Sequence, residues 1–169
     1  LAPSFEFVFH FNRQSRKPNK IIPCKHAGQD SHLRADGPST AMRSKSGEVG
    51  GWTHAGQPTQ ETRIPDSVIR VMRHKGKIGQ DIDHPAVFPV ALPEFVIEAY
   101  SDKGDIVFEP FGGSGTTMLA AERTGRACRS VEIAPEYVDV AIKRFQQNYP
   151  GLAVTLAATG QSFEEVRRE

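Results

Sequence analysis

Four phenylalanines, Phe5, Phe7, Phe9 and Phe11, alternate with Glu6, Val8 and His10 near the start of the chain. A period of two puts one set of side chains on one face of an extended backbone, so the spacing predicts a strand whose aromatic face needs a sheet to cover it. From Cys24 to Arg63 the bulky apolar residues thin to Leu33, Met42, Val49 and Trp52 among six glycines. So sparse a set does not offset the entropy of ordering the backbone, and a long loop is expected there. Residues 64–71 read as a short extended or turn segment, followed by the basic run Arg73, His74, Lys75 and Lys77.

Beyond residue 90 the pattern tightens. Pro93 at a helix start, with Leu92, Phe95, Val96, Ala99 and Tyr100 on one face, predicts a helix that stops before Gly104. Residues 105–108 read as a buried strand, and Gly112-Gly113-Ser114-Gly115 as a tight turn. A second helix follows from Thr116 to about Arg123, a strand over 127–131, and a third helix from Pro135 with Tyr137, Val138, Ala141, Ile142 and Phe145 as its stripe. Residues 152–156 alternate as a further strand and 163–166 as a last short helix. The order is βαβαβ with short connections, which predicts the α/β class and a parallel sheet that binds ligands beyond the carboxyl ends of its strands.

Composition sharpens this division. The chain has 169 residues, 38% of them hydrophobic, with 15 Gly and 12 Pro, so much of it is loop and its core must be concentrated in one place. The net charge of +1 conceals an asymmetry: residues 1–80 hold 13 Lys and Arg against 6 Asp and Glu, residues 81–169 hold 8 against 14. A basic half rich in Gly, Ser and Asn suits a polyanion, although a solvated basic tail has the same composition. Cys24 and Cys128 are far apart and form no metal-ligand spacing, so no metal site is expected, and Cys128 reads as a buried inert thiol. No apolar run approaches the ~18 residues of a membrane span and no signal-peptide pattern occurs, so a cytoplasmic protein is expected.

The most informative stretch is Phe108-Glu109-Pro110-Phe111-Gly112-Gly113-Ser114-Gly115-Thr116-Thr117. Glycines at a strand end let the backbone approach a ligand and leave helix N-terminal amides as donors. A P-loop needs Lys followed by Ser or Thr after its last glycine, and here Thr116-Thr117 follows; a dinucleotide fingerprint needs a glycine where Met118 stands. Glu109 before the turn would repel a pyrophosphate but suits a cation. S-adenosylmethionine (SAM) carries an ammonium and a sulfonium, with a carboxylate that turn amides can hold. Glu132 lies twenty residues beyond Gly112 at the end of the next strand, where an acid can accept from both ribose hydroxyls. It can equally cap the helix that starts near Pro135.

Residues 84–145 resemble the amino-methyltransferases that modify adenine N6 or cytosine N4 in DNA, in the arrangement whose SAM motif follows the catalytic one. The turn Phe111-Gly112-Gly113-Ser114-Gly115-Thr116-Thr117 is similar to that family's first motif, with Glu109 where Asp is usual. Glu132 falls on its ribose acid, and His84-Pro85-Ala86-Val87-Phe88-Pro89 on the segment that closes over the methionine end. The resemblance implies a Rossmann-like SAM-dependent methyltransferase fold and a parallel-sheet half carrying a long basic loop insertion. Residues 1–22 would end the catalytic subregion, 23–80 form the target-recognition region and 81–169 the SAM half. It also implies SAM as cofactor, bound by His84, Phe88, Glu109, Phe111, Gly112, Gly113, Ser114, Gly115, Thr116 and Glu132. DNA is the implied partner, with Arg13, Arg16, Lys17, Arg70, Arg73, Lys75 and Lys77 on phosphates and Trp52 or His74 stacking on a base.

The family accepts hydrogen bonds from a flipped base's amino group with an Asp/Asn/Ser-Pro-Pro-Tyr/Phe/Trp tetrapeptide. No Pro-Pro pair occurs in this chain. With Leu1 in place of Met and an aromatic strand lacking partners, the expectation is the rear part of a DNA-modification enzyme of the restriction-modification type. Adenine N6 is favoured over cytosine N4, no catalytic residue is assigned to this chain, and an upstream segment or a second subunit is a further expected partner. A non-catalytic SAM- or DNA-binding remnant, or a dinucleotide-binding fragment, are the alternatives.

Overall fold

The computed structural model describes residues 6–30, 33–34, 37–38, 41–43, 45–51, 56–71 and 87–167. The chain divides into two units, residues 1–65 and residues 66–169.

The first unit is built from short antiparallel pairs. Strand β1 (Ile22–Pro23) pairs with β6 (Thr62–Arg63), β2 (Leu33–Arg34) with β3 (Gly37–Pro38), and β4 (Ala41–Arg43) with β5 (Val49–Gly51). The β1·β6 pairing continues outward through Cys24 N to Glu61 O and Gly28 N to Thr59 O, each 2.8 Å. The expected structureless loop is therefore corrected: backbone hydrogen bonds order parts of this segment, a contribution that apolar residue counts do not register. The aromatic strand over 5–11 is corrected as well. Residues 6–11 form no strand, and Phe7, Phe9 and Phe11 are 77%, 76% and 88% exposed. The period-two geometry survives, since the rings of Phe7 and Phe9 lie 6.2 Å apart and those of Phe9 and Phe11 6.4 Å. Among the described residues no strand pairs with this segment.

The second unit holds the core. Helix α1 (Ala91–Tyr100) precedes strand β7 (Ile106–Glu109), helix α2 (Thr116–Arg123), strand β8 (Ala127–Ser130) and helix α3 (Pro135–Asn148); a single turn, α4 (Phe163–Val166), follows. β7 and β8 pair in parallel, Ile106 opposite Ala127 through Glu109 opposite Ser130, with α2 as the crossover. This β-α-β unit is the Rossmann-like α/β arrangement expected from the alternation of elements. Ile97, Ala120 and Ala121 are its buried centre, with Val90, Val107 and Cys128 packed against them. The other side of the strand pair is open, Ile106 and Phe108 each being 66% exposed.

Two devices fix helix ends in this unit. Arg126, only 8% exposed, donates from Nη2 to Ser101 O, from Nε to Ser101 Oγ and from Nη1 to Thr124 O, so one guanidinium ties the C-terminal ends of α1 and α2 together. A cation there also opposes the negative ends of both helix dipoles. At α4, Ser162 and Glu165 form a capping box that holds the Glu165 carboxyl below the usual carboxylate range.

The third parallel strand expected over 152–156 is absent. That stretch is irregular and folds back through a turn at 157–159, held by one antiparallel bridge, Thr155 to Ser162, with Leu156 N donating to Gln161 O and Phe163 N to Val154 O. Leu152 and Leu156 are each 46% exposed. No helix among the described residues is long and apolar enough to cross a membrane.

Candidate cofactor site

The glycine turn runs from the carboxyl end of β7 into α2. Gly115 is the N-cap of α2 with φ of 78°, a left-handed conformation that disfavours any residue with a Cβ. A Cβ there would also stand 2.9 Å from Ala141 Cβ and 3.2 Å from Ala141 Cα on α3. Tyr137, Ala141 and Arg144 recur at helical spacing on one face of α3, and that face meets the turn. Gly112 is tight for a different reason: a Cβ on it would lie 2.3 Å from Ser130 Oγ at the end of β8.

Two carboxylates bracket this turn from adjacent strand ends. Glu109 Oε1 accepts from Phe111 N at 3.0 Å and its Oε2 from Thr117 Oγ1 at 2.9 Å. Glu132 Oε2 accepts from Gly113 N at 2.6 Å and Oε1 from Ala134 N at 3.0 Å, so Glu132 joins the turn to the start of α3. Glu132 thus holds the N–H of Ala134, the residue before α3, and does not cap the helix's own first-turn amides; each carboxylate oxygen has two lone pairs, so these bonds do not by themselves exhaust it. The expectation that the turn amides stand free is corrected in part. Those of Phe111, Gly112, Gly113 and Gly115 donate to Glu109, Val131 O, Glu132 and Gly112 O.

Beside the turn is a cavity of about 260 Å³ lined by Phe88, Glu109, Phe111, Gly112, Gly113, Ser114, Thr116, Thr117, Glu132 and Tyr137. Eight of the ten residues expected at the cofactor therefore line one cavity. Gly115 lies beneath it as the helix cap, and His84 falls outside the described residues. The volume is just under the ~300–1,000 Å³ of complete small-molecule sites, which leaves room for part of a nucleoside-sized ligand. Its chemistry is mixed: two acids for a cation or hydroxyls, apolar rings from Phe88, Phe111 and Tyr137, and close backbone approach at the glycines.

Sequence reading missed Thr117, Tyr137 and Arg144. Thr117 holds Glu109 in place. Arg144 is 9% exposed and donates from Nη1 to Ser114 O at 2.7 Å, Ser114 Oγ at 2.9 Å and Thr116 Oγ1 at 3.1 Å, so it supports the turn from below. Its position seven residues after Tyr137 and three after Ala141 was the available signal. Of the residues expected on DNA, Arg13, Arg16 and Lys17 are exposed in the first unit and Arg70 is exposed in the second; Arg73, Lys75, Lys77, Trp52 and His74 lie outside the described residues.

The profile of the family described as DNA methylase (N6_N4_Mtase) matches residues 1–143. The chain belongs to the DNA methylase family. It is 49% identical over 65 residues to the type II methyltransferase M.PvuII of Proteus hauseri, covering 38% of this chain and 19% of that protein. It is 35% identical over 88 residues to the DNA adenine methyltransferase YhdJ of Escherichia coli (strain K12), covering 52% of this chain and 30% of that protein. Among solved structures, the putative DNA modification methylase TTHA0409 of Thermus thermophilus, complexed with SAM, aligns at 43% identity and a TM-score of 0.37, over 38% of this chain and 27% of that one. The chain spans only 19% to 31% of the length of such curated relatives.

Within this DNA methylase chain Cys128 sits half-buried on β8. Burial first, then the nearby Glu109, push its thiol pKa up, with Arg129 opposing. The thiolate is the reactive form. Alkylation of Cys128 at mildly alkaline pH is expected to be about tenfold slower or more in the folded chain than in denaturant, followed by peptide mass; equal rates would show an accessible, unperturbed thiol.

Proposed function

We propose that this chain supplies the SAM-binding half of a methyltransferase acting on an exocyclic amino group of a DNA base. The observation that carries the reading is the pair Glu109 and Glu132 on adjacent parallel strand ends, bracketing a glycine turn at one cavity. Glu132 would accept from the ribose hydroxyls, Glu109 would face the cationic methionine end, and Phe88, Phe111 and Tyr137 would flank the apolar parts. SAM when bound supplies the electrophilic methyl group; this chain's residues seat and orient it. His84 belongs to the same proposed set.

Adenine N6 is the first target to assay and cytosine N4 the second. The first unit and the start of the second would lie on DNA, with Arg13, Arg16, Lys17, Arg70, Arg73, Lys75 and Lys77 against phosphates. In this reading residues 1–22 end the catalytic subregion, 23–80 form the target-recognition region and 81–169 the cofactor half. No Pro-Pro pair is present to accept from a target amino group, so the chain alone is expected to bind SAM and to transfer no methyl group from labelled SAM to DNA. Calorimetric titration with SAM and with NAD tests the assignment: binding of SAM but not NAD is expected, and the reverse preference would replace the cofactor.

Replacing Arg70, Arg73 and Lys75 together by Ala tests the DNA reading. Each phosphate contact contributes about 0.9 to the slope of log affinity against log salt, so the slope should fall by roughly 3. Unchanged, salt-independent retention of duplex DNA would reject the contacts.

A further inference from the structure

A second cavity, of about 420 Å³, shares no wall residue with the first; its described walls all belong to the second unit and include Arg70, Arg123 and Arg144 against one carboxylate, Glu94. Glu94 is spoken for, pairing with Arg123 Nη1 at 3.2 Å while Arg123 Nη2 donates to Asn148 Oδ1 at 3.3 Å. Arg70 has no hydrogen-bond or ion-pair partner among the described residues. Arg144 is the unusual member. All three of its bonds leave from Nη1, and Nε and Nη2 have no acceptor among the described residues. Arg144 is 9% exposed and has no ion-pair partner among the described residues, and desolvation with Arg123 nearby pushes its pKa down; none of its nitrogens is both buried and unpartnered, so Nε and Nη2 reach solvent.

The backbone adds to the same sign of charge. Val90, the N-cap of α1, and Ala91 border this cavity, and no side chain caps that helix end. An α-helix presents partial positive charge at its N-terminus; here Leu92 N already donates to Pro89 O at 3.0 Å and Pro93 has no N–H, so Ala91 N is the first-turn amide left for a ligand. Three guanidinium groups, one shared carboxylate and a helix N-terminus leave a recessed site with spare donors and excess positive charge. A tetrahedral oxyanion satisfies both, its oxygens taking the free Arg144 and Arg70 N–H groups.

We propose that this cavity binds a phosphate group, and that Arg144, one nitrogen on the turn and the others on the phosphate, links it to the cofactor turn. Phosphate capture does not depend on the cofactor reading; only the meaning of the link does. The source is either a phosphodiester of DNA or free phosphate. The test follows amide resonances of the full chain during titration with inorganic phosphate at constant ionic strength. Saturable shifts are expected at Ala91, Ser114 and Thr116, the last two through Arg144. Arg70→Ala and Arg123→Gln, both exposed positions, are each expected to weaken binding at least about fivefold.

Absence of saturable shifts, shifts untouched by both substitutions, or shifts that leave Ser114 and Thr116 unmoved would overturn the proposal. A short DNA duplex that moves the same resonances and competes with phosphate makes DNA the source; a duplex that leaves them unmoved makes it free phosphate. Should SAM fail to bind while these shifts persist, the proposed function falls and the phosphate site stands.

Discussion

Replacing Glu132 by Ala is expected to weaken SAM binding at least tenfold while the second unit stays folded. Each ribose hydroxyl bonded to a charged acceptor is worth about 1.5–3 kcal/mol, and tenfold in affinity is about 1.4 kcal/mol, so the loss of even one bond reaches that threshold. The same substitution leaves Gly113 N and Ala134 N without their acceptor. Two partly exposed amides of this kind cost on the order of 1 kcal/mol of stability, since water reaches them. Glu132→Gln keeps one carbonyl oxygen as acceptor and should fall between the two. Calorimetric titration beside a thermal melt separates the effects. An alanine variant with wild-type affinity would remove Glu132 from the ribose, whatever its part in holding the turn.

Gly115→Ala carries the largest expected loss of stability. A left-handed conformation costs a residue with a Cβ about 1–2 kcal/mol, and forcing a methyl group against well-packed atoms typically adds about 1–3 kcal/mol. Ala141 Cα and Cβ are the atoms met, and a helix backbone does not yield as a side-chain tip would. A destabilisation of about 2–5 kcal/mol is therefore expected, read from the midpoint of urea unfolding. Gly160 supplies the control: its φ of 76° is similar, but nothing lies within 4 Å of an added Cβ. Gly160→Ala should show the backbone cost alone, and equal losses in the two variants would show that the contact with α3 contributes nothing.

The second unit was legible because its elements carry both a period and punctuation. Pro93 and Pro135 mark helix starts, the glycine turn separates β7 from α2, and Gly125 follows α2 with φ of 72°. Residues 152–156 had the alternation of a strand but no sheet neighbour among the described residues; their backbone bonds close onto residues 161–163, a pairing set by the intervening turn. The first unit failed for the opposite reason. Gln29 and Thr59 are joined by Thr59 N to Gln29 O at 2.8 Å, a bond between main-chain atoms thirty residues apart that leaves no trace in hydrophobic spacing. In the site, Glu109, Glu132 and the glycines could be found because their chemistry is local to the motif. Arg144 could not, since its importance comes from where α3 crosses the turn.

The uncovered side of the strand pair governs how this unit meets other polypeptide. Among the described residues neither β7 nor β8 has a second neighbour, and the Phe108 ring and the Ile106 side chain are bared beside them. One more strand laid along either margin would satisfy amides and shelter apolar surface in a single event. Concentrated solutions of the chain are therefore expected to favour self-association through that side, where further sheet-forming polypeptide would add most readily.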